Sequence, residues 1–142
     1  MRYAIELTPD DESNTILVAV PDLPEVHTFG DTEEEARIMA VDAIETLLDW
    51  LIERWEPIPE PSAIGNRVSV ALPIRTVGKI AIYRALLSGD VSRAGLAKRL
   101  GWPDRRLIGL LDLFTQSDMD DIEAALRALG YEASIAVRPI AA

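Results

Sequence analysis

From Tyr3 to Thr8 apolar and polar residues alternate, with Tyr3, Ile5 and Leu7 on one side and Ala4, Glu6 and Thr8 on the other. Period two predicts a half-buried strand. Pro9-Asp10-Asp11-Glu12-Ser13-Asn14 is a polar turn, and Thr15 to Val20 is β-branched with Ile16, Val18 and Val20 again at period two. The two runs predict a hairpin with a loose loop. Pro21-Asp22-Leu23-Pro24 makes another turn, because each proline removes a ladder donor. Val26 to Phe29 then predicts a short third strand ended by Gly30. At Thr32 the period changes to that of a helix. Thr32-Glu33-Glu34-Glu35 has the form of a capping box with acids at the positive end of the helix dipole. Ala36, Ala40, Ile44, Leu47, Leu51 and Trp55 follow on one face at steps of three and four. A helix from Thr32 to Trp55 is stopped by Pro57, Pro59 and Pro61. Arg67 to Leu72 alternates once more and predicts a fourth strand, so the first part reads β-β-β-α-β.

Beyond Pro73 the chain reads as helical. Val77 to Leu87 places Val77, Ile80, Ala81, Leu86 and Leu87 inward behind a Thr76 cap. Ser92 caps a second helix that runs to Leu100, and Gly101-Trp102-Pro103 breaks it. A third starts at Pro103, which suits a first helical position, and runs to Leu113. Ser117 or Asp118 caps a fourth, which Gly130 closes. Tyr131 to Arg138 alternates Tyr131, Ala133, Ile135 and Val137 with polar or small residues and predicts one last short strand. The expected class is α+β.

Composition narrows the chemistry. The chain of 142 residues has no cysteine and one histidine, His27. Disulfides, thiol catalysis, zinc fingers and iron–sulfur clusters are excluded together. Neither a metal centre nor a cofactor is expected, and no catalytic constellation stands out, since most carboxylates fall on loops or one helix face. No apolar run approaches the roughly 18 residues of a membrane span. Met1 to Glu6 lacks the apolar stretch of a signal peptide, so a cytoplasmic location is expected. The net charge of −10 conceals a division. Residues 1–66 hold sixteen acids against three bases, a net of −13, whereas residues 67–142 are at +3. Within 67–106 nine bases face only Asp90 and Asp104. Such asymmetry predicts two different partners, one basic and one anionic.

Ser92 to Leu111 has the spacing of a helix-turn-helix. Ala97 is small where the helices cross, Gly101 supplies a permissive turn, and Leu107 seals the second helix on the first. On the second helix Arg105, Gly109 and Asp112 point outward, flanked by Arg106 and Ile108. Arg105 and Arg106 occupy the first turn, where a recognition helix reaches base edges, and arginine grips guanine O6 and N7 with two hydrogen bonds. Arg93, Lys98 and Arg99 on the preceding helix are placed to hold phosphates. Asp104 and Asp112 would lie near the same phosphates, which thins the reading face.

Two runs are specific enough to carry a resemblance: Pro21-Asp22-Leu23-Pro24-Glu25-Val26, and Gly30-Asp31-Thr32-Glu33-Glu34-Glu35-Ala36 opening the long helix. With Tyr3 in the first strand, they make the N-terminal part similar to the HicB family of antitoxins. Leu72-Pro73 through Leu100-Gly101-Trp102 to Ile122-Glu123-Ala124-Ala125-Leu126 resembles the branch of that family with a helix-turn-helix. Glu25 stands where family members often have glycine. The resemblance implies a partial ribonuclease-H-like module over 1–72, without nuclease carboxylates, that binds a small basic HicA toxin, an mRNA-cutting ribonuclease. It implies a helix-turn-helix domain over 73–142 that binds the operator of its own operon, with dimers or tetramers in the family; a two-fold dimer of such units predicts an inverted repeat in the operator DNA. The chain is then not an enzyme. Asp22 and Glu25, as loop acids, are the expected toxin contacts. Two alternatives stay open on the residues alone: a stand-alone DNA-binding regulator whose first module senses a ligand or only assembles oligomers, and, further out, a nuclease.

Overall fold

The computed structural model describes residues 1–140. Four strands come first: β1 (Arg2–Ala4), β2 (Glu6–Asp10), β3 (Thr15–Ala19) and β4 (His27–Gly30). The long helix α1 (Glu33–Glu53) and a fifth strand, β5 (Ser69–Ala71), complete the N-terminal part. Four helices follow: α2 (Ile74–Leu87), α3 (Arg93–Leu100), α4 (Asp104–Leu111) and α5 (Met119–Ala128). The α+β expectation holds: two small antiparallel sheets with α1 between their strands in sequence, followed by helices.

The first expected strand is two. β1 pairs with β5, Tyr3 opposite Val70, while β2 pairs with β3, Leu7 opposite Val18. The chain changes partner at Ile5, whose N–H donates to Val68 O at 2.9 Å. Tyr3, Ala4 and Ile5 are therefore all buried, and alternation fails at Ala4. β4 closes the second sheet on β3, with Leu17 opposite Phe29 and Ile16 opposite Gly30. The inward face of β2–β3–β4 packs on α1. Gly30 is fixed by that approach, since a Cβ there would meet Ala36 N of the first helical turn at 2.4 Å. Thr32 caps the helix, its hydroxyl accepting from Glu35 N at 3.1 Å, and the Glu35 carboxylate reaches back to Asp31 N at 3.2 Å.

The buried stripe of α1 is Ala36, Ala40, Ile44, Leu48 and Ile52, not Leu47, Leu51 and Trp55 as the spacing suggested. Steps of four gain about 40° each on a helix of 3.6 residues per turn. The stripe thus winds from the sheet toward the helical half. The helix stops at Glu53, and Trp55 takes a left-handed φ of 58°. Glu56 N donates to Leu51 O and Trp55 N to Ile52 O, the two bonds of a Schellman ending. The Trp55 ring meets Tyr83 edge-on with centroids 5.2 Å apart, which holds a non-glycine residue in that conformation.

The helical half joins this end of α1. α2 begins at Ile74, with Pro73 rather than Thr76 at its cap. Thr76 is buried instead and donates to Glu45 of α1. Tyr83 donates to Glu56 O, and Arg84 donates to Ile58 O at 3.2 Å. One buried apolar cluster runs from Tyr3 to Leu126 through both halves. Pro103 proves to be the cap of α4 and Asp118 that of α5. The last strand expected over 131–138 does not form: residues 131–140 are exposed and without regular structure. An alternating segment with no neighbouring strand has nothing to bond its backbone but water.

Candidate functional site

α3 and α4 are joined by Gly101-Trp102-Pro103, with Gly101 left-handed at φ 66°. Ala97 and Leu107 are buried where the two helices meet, with Leu96, Leu110 and Leu111 around them. This is the packing the spacing predicted. Ser92 caps α3, its hydroxyl accepting from Gly95 N at 2.9 Å.

The six expected DNA-contacting residues are all exposed or at the surface, but they do not form one free row. Arg105 and Lys98 are exposed and carry no hydrogen bond or ion pair among the described residues. Arg106 lies over the Trp102 ring, 4.2 Å from its centroid, and is paired with Asp121 at 2.9 Å. Arg99 donates to Ala128 O at the end of α5, at 2.9 Å. Arg93 and Ile108 border a groove of about 250 Å³ together with Asp49, Ile52, Glu53, Trp55, Leu111 and Asp112. Three carboxylates therefore stand beside Arg93 and Ile108. Two arginines of the set hold the helices together, and the unengaged cations are Arg93, Lys98 and Arg105.

One base of the basic segment is not on the surface at all. Lys79 is 1% exposed. Its Nζ donates to Asp112 O at 2.6 Å, to Thr115 O at 2.5 Å and to Gly109 O at 3.4 Å. These carbonyls end α4 and form the turn after it, so the ammonium satisfies acceptors that the helix leaves open. Burial lowers the Lys79 pKa, while the carboxylates of Asp112 and Asp49 oppose that shift. From α1, Asp49 accepts from Leu113 N at 2.9 Å, and burial holds its pKa above the usual value despite that bond. α1, α2 and α4 are thus tied by polar contacts at one point. The signal was present in the sequence: Thr76, Lys79, Tyr83 and Leu86 step by three and four along the buried side of α2.

In the acidic half, Asp22 is engaged internally. One carboxylate oxygen accepts from Ser62 N and the other from Ser62 Oγ, both at 2.7 Å. Those bonds lower its pKa, the backbone N–H foremost. They pin the Pro21–Pro24 turn to the segment after α1, with Leu23 and Val26 sunk into the core. Glu25 next to it is exposed and unpartnered among the described residues. His27 is exposed on β4. Among the described residues no three His, Asp or Glu side chains converge as a metal site. No helix there is long and apolar enough to cross a membrane.

The chain is similar in sequence to known proteins over most of its length. Residues 2–81 match the family described as the HicB_like antitoxin of bacterial toxin-antitoxin systems. The chain is 33% identical over 136 residues to Antitoxin HicB of Escherichia coli (strain K12), covering 95% of this chain and 98% of that protein. It is 35% identical over 139 residues to Antitoxin HicB of Pseudomonas fluorescens (strain Pf0-1), covering 96% and 93%. The crystal structure of the Burkholderia Pseudomallei antitoxin HicB aligns with 71% of this chain and 96% of its own, at 25% identity and a TM-score of 0.43. A family match over more than half the chain, and relatives matched along nearly their whole length, place this protein in the HicB-like antitoxin family of bacterial toxin–antitoxin systems.

Proposed function

We propose that this antitoxin binds and silences a small basic HicA-type ribonuclease through residues 1–72 and represses its own operon through residues 73–142. The observation that carries the reading is the division of charge across a chain that matches an antitoxin over 95% of its length. Ten acids and no lysine or arginine fall between Tyr3 and Ala36, inside the family match. The unengaged cations Arg93, Lys98 and Arg105 fall on α3 and α4. Opposite charge speeds and orients association with a basic protein, and cations on a helical pair suit phosphates.

Neutralisation needs no chemistry from this chain, only a surface that covers the toxin, so its role is regulatory rather than enzymatic and cytoplasmic. Arg105 is the base-reading residue, with Ile108 beside it, and Lys98 and Arg93 hold phosphates; Arg106 and Arg99 set the helices. In the toxin-binding half Glu25 is free to make a contact, whereas Asp22 shapes the turn that presents it. A two-fold dimer then reads an inverted repeat with half-sites about 10 base pairs apart or a multiple of that. The second chain is held by the tail, whose 131–138 alternation pairs with its own copy.

The test uses the full chain, because α1 and α2 share one core and the cut at Leu72–Pro73 would expose it. Co-expression with the small basic protein encoded beside it should restore growth that the basic protein alone arrests. Purified chain should bind the upstream DNA in a salt-dependent way. Failure of rescue rejects the first activity, and salt-independent or absent binding rejects the second.

A further inference from the structure

The sheet β2–β3–β4 has one face against α1 and one face open. Strand parity assigns Leu7, Val18 and Thr28 to the covered face. Thr8, Leu17 and Phe29 form a cross-strand row on the open one. In that row Leu17 is 44% and Phe29 57% exposed. Two large apolar side chains at the centre of an otherwise polar face lose solvation free energy for as long as they stay uncovered. The row lies one residue from the end of the sheet, where Ile16 faces Gly30. At that same end sit the β2–β3 turn, with Asp11 and Glu12, and the β4–α1 junction, with Asp31 and Glu34. None of these four carboxylates has a hydrogen-bond or ion-pair partner among the described residues, whereas Asp10 is engaged by Ser13 and Glu33 by Arg37.

We infer that this open sheet face is the toxin-docking surface, with Leu17 and Phe29 as its anchor sites and the free acids at the sheet end as its rim. The inference rests on the antitoxin reading above and adds the sheet face to the Glu25 contact proposed there. The occupant it fits is a basic protein that presents an apolar side chain. A second copy of this chain is disfavoured, since it would bring the same acids to the same place. Nucleic acid and anionic lipid are repelled for the same reason. Apolar anchors in a ring of complementary charge are the usual arrangement of an affinity-determining patch.

The test measures binding of full-length chain to the small basic protein encoded beside it, by calorimetry. The variants are Leu17→Glu, Phe29→Glu, Leu17→Thr and Phe29→Thr, and the threonine pair removes the apolar bulk while putting strand-favouring β-branched residues in its place. Ile38→Glu on the exposed side of α1 is the control, as Ile38 is 63% exposed and away from the sheet's open face. Each glutamate should weaken binding at least 100-fold and each threonine at least tenfold, with melting temperatures kept and Ile38→Glu within about threefold of wild type. If the wild type binds and the face variants bind equally well, the docking surface is elsewhere and the antitoxin reading survives. If the wild type binds no basic partner, the antitoxin reading fails and this inference fails with it.

Discussion

Replacing Lys79 by Met keeps the length of the side chain and removes its ammonium. Asp112 O and Thr115 O, held at 2.6 and 2.5 Å, then lose their donor inside the protein, and Gly109 O loses a longer contact. A buried acceptor left without a partner costs about 1–3 kcal/mol. The two bonds here are part-buried, so about 2–6 kcal/mol is the ceiling for the pair, and relief of a buried charge offsets part of that. The net expectation is a destabilisation on the order of 3 kcal/mol. For a chain of this size, that lowers the melting temperature by roughly 10 °C. Urea unfolding of Lys79→Met beside Lys98→Met is the assay. Lys98 is exposed and unpartnered, so its variant should stay within about 0.5 kcal/mol of wild type. Amide exchange at Leu113 and Phe114 should quicken in Lys79→Met more than exchange in β3, because the lost bonds hold that turn. A loss below 1 kcal/mol, or exchange that rises evenly across the protein, would refute the assignment of Lys79 as the clasp of α4.

Four further outcomes follow from the same structure. Arg105→Ala should cost on the order of 1–3 kcal/mol per half-site and relax preference at one base position, read by titration against operator and scrambled duplex. Lys98→Ala should weaken all sequences alike and flatten the salt dependence by roughly one unit, whereas Lys79→Met, though it removes the same charge, should leave that slope unchanged. Truncation after Gly130 should halve the mass seen by light scattering and weaken operator binding; an unchanged oligomer with unchanged binding rejects tail pairing. Burial raises the Tyr3 pKa from 10.0 to about 12, so the folded state favours the neutral phenol. Its contribution to stability is complete below pH 10 and is lost as pH rises toward 12, and Tyr3→Phe should flatten that part of an alkaline unfolding curve.

Local signals were legible, and partner-dependent ones were not. The Thr32 cap with its three acids announces α1, and Ser92 and Gly101 announce the ends of α3, because a cap is decided by residues within one turn. The far end of α1 was misjudged for a different reason. Leu47 and Leu48 satisfy a helical stripe equally well, and the choice falls to the common core, which takes Leu48 and draws on residues far away in the sequence. Lys79 is one of the nine bases of 67–106; its charge argues for exposure, its place in the Thr76, Lys79, Tyr83 and Leu86 stripe argues for burial, and the converging carbonyls decide for burial. The candidate site divides the same way. Arg105 and Lys98 carry no hydrogen bond or ion pair among the described residues, while Arg99 and Arg106 are taken by Ala128 O and by Trp102 with Asp121. Asp22 reads as a free loop acid in the sequence, and Ser62, forty residues later, claims both of its oxygens.

The account turns on whether the acidic half silences a ribonuclease. Purified full-length chain is titrated into a purified HicA-type ribonuclease, the proposed partner, and cleavage of a defined mRNA is followed on a gel. Cleavage should fall to zero at a fixed molar ratio and return when salt is raised enough to weaken an acid–base interface. Cleavage that persists under a molar excess of the chain would contradict it.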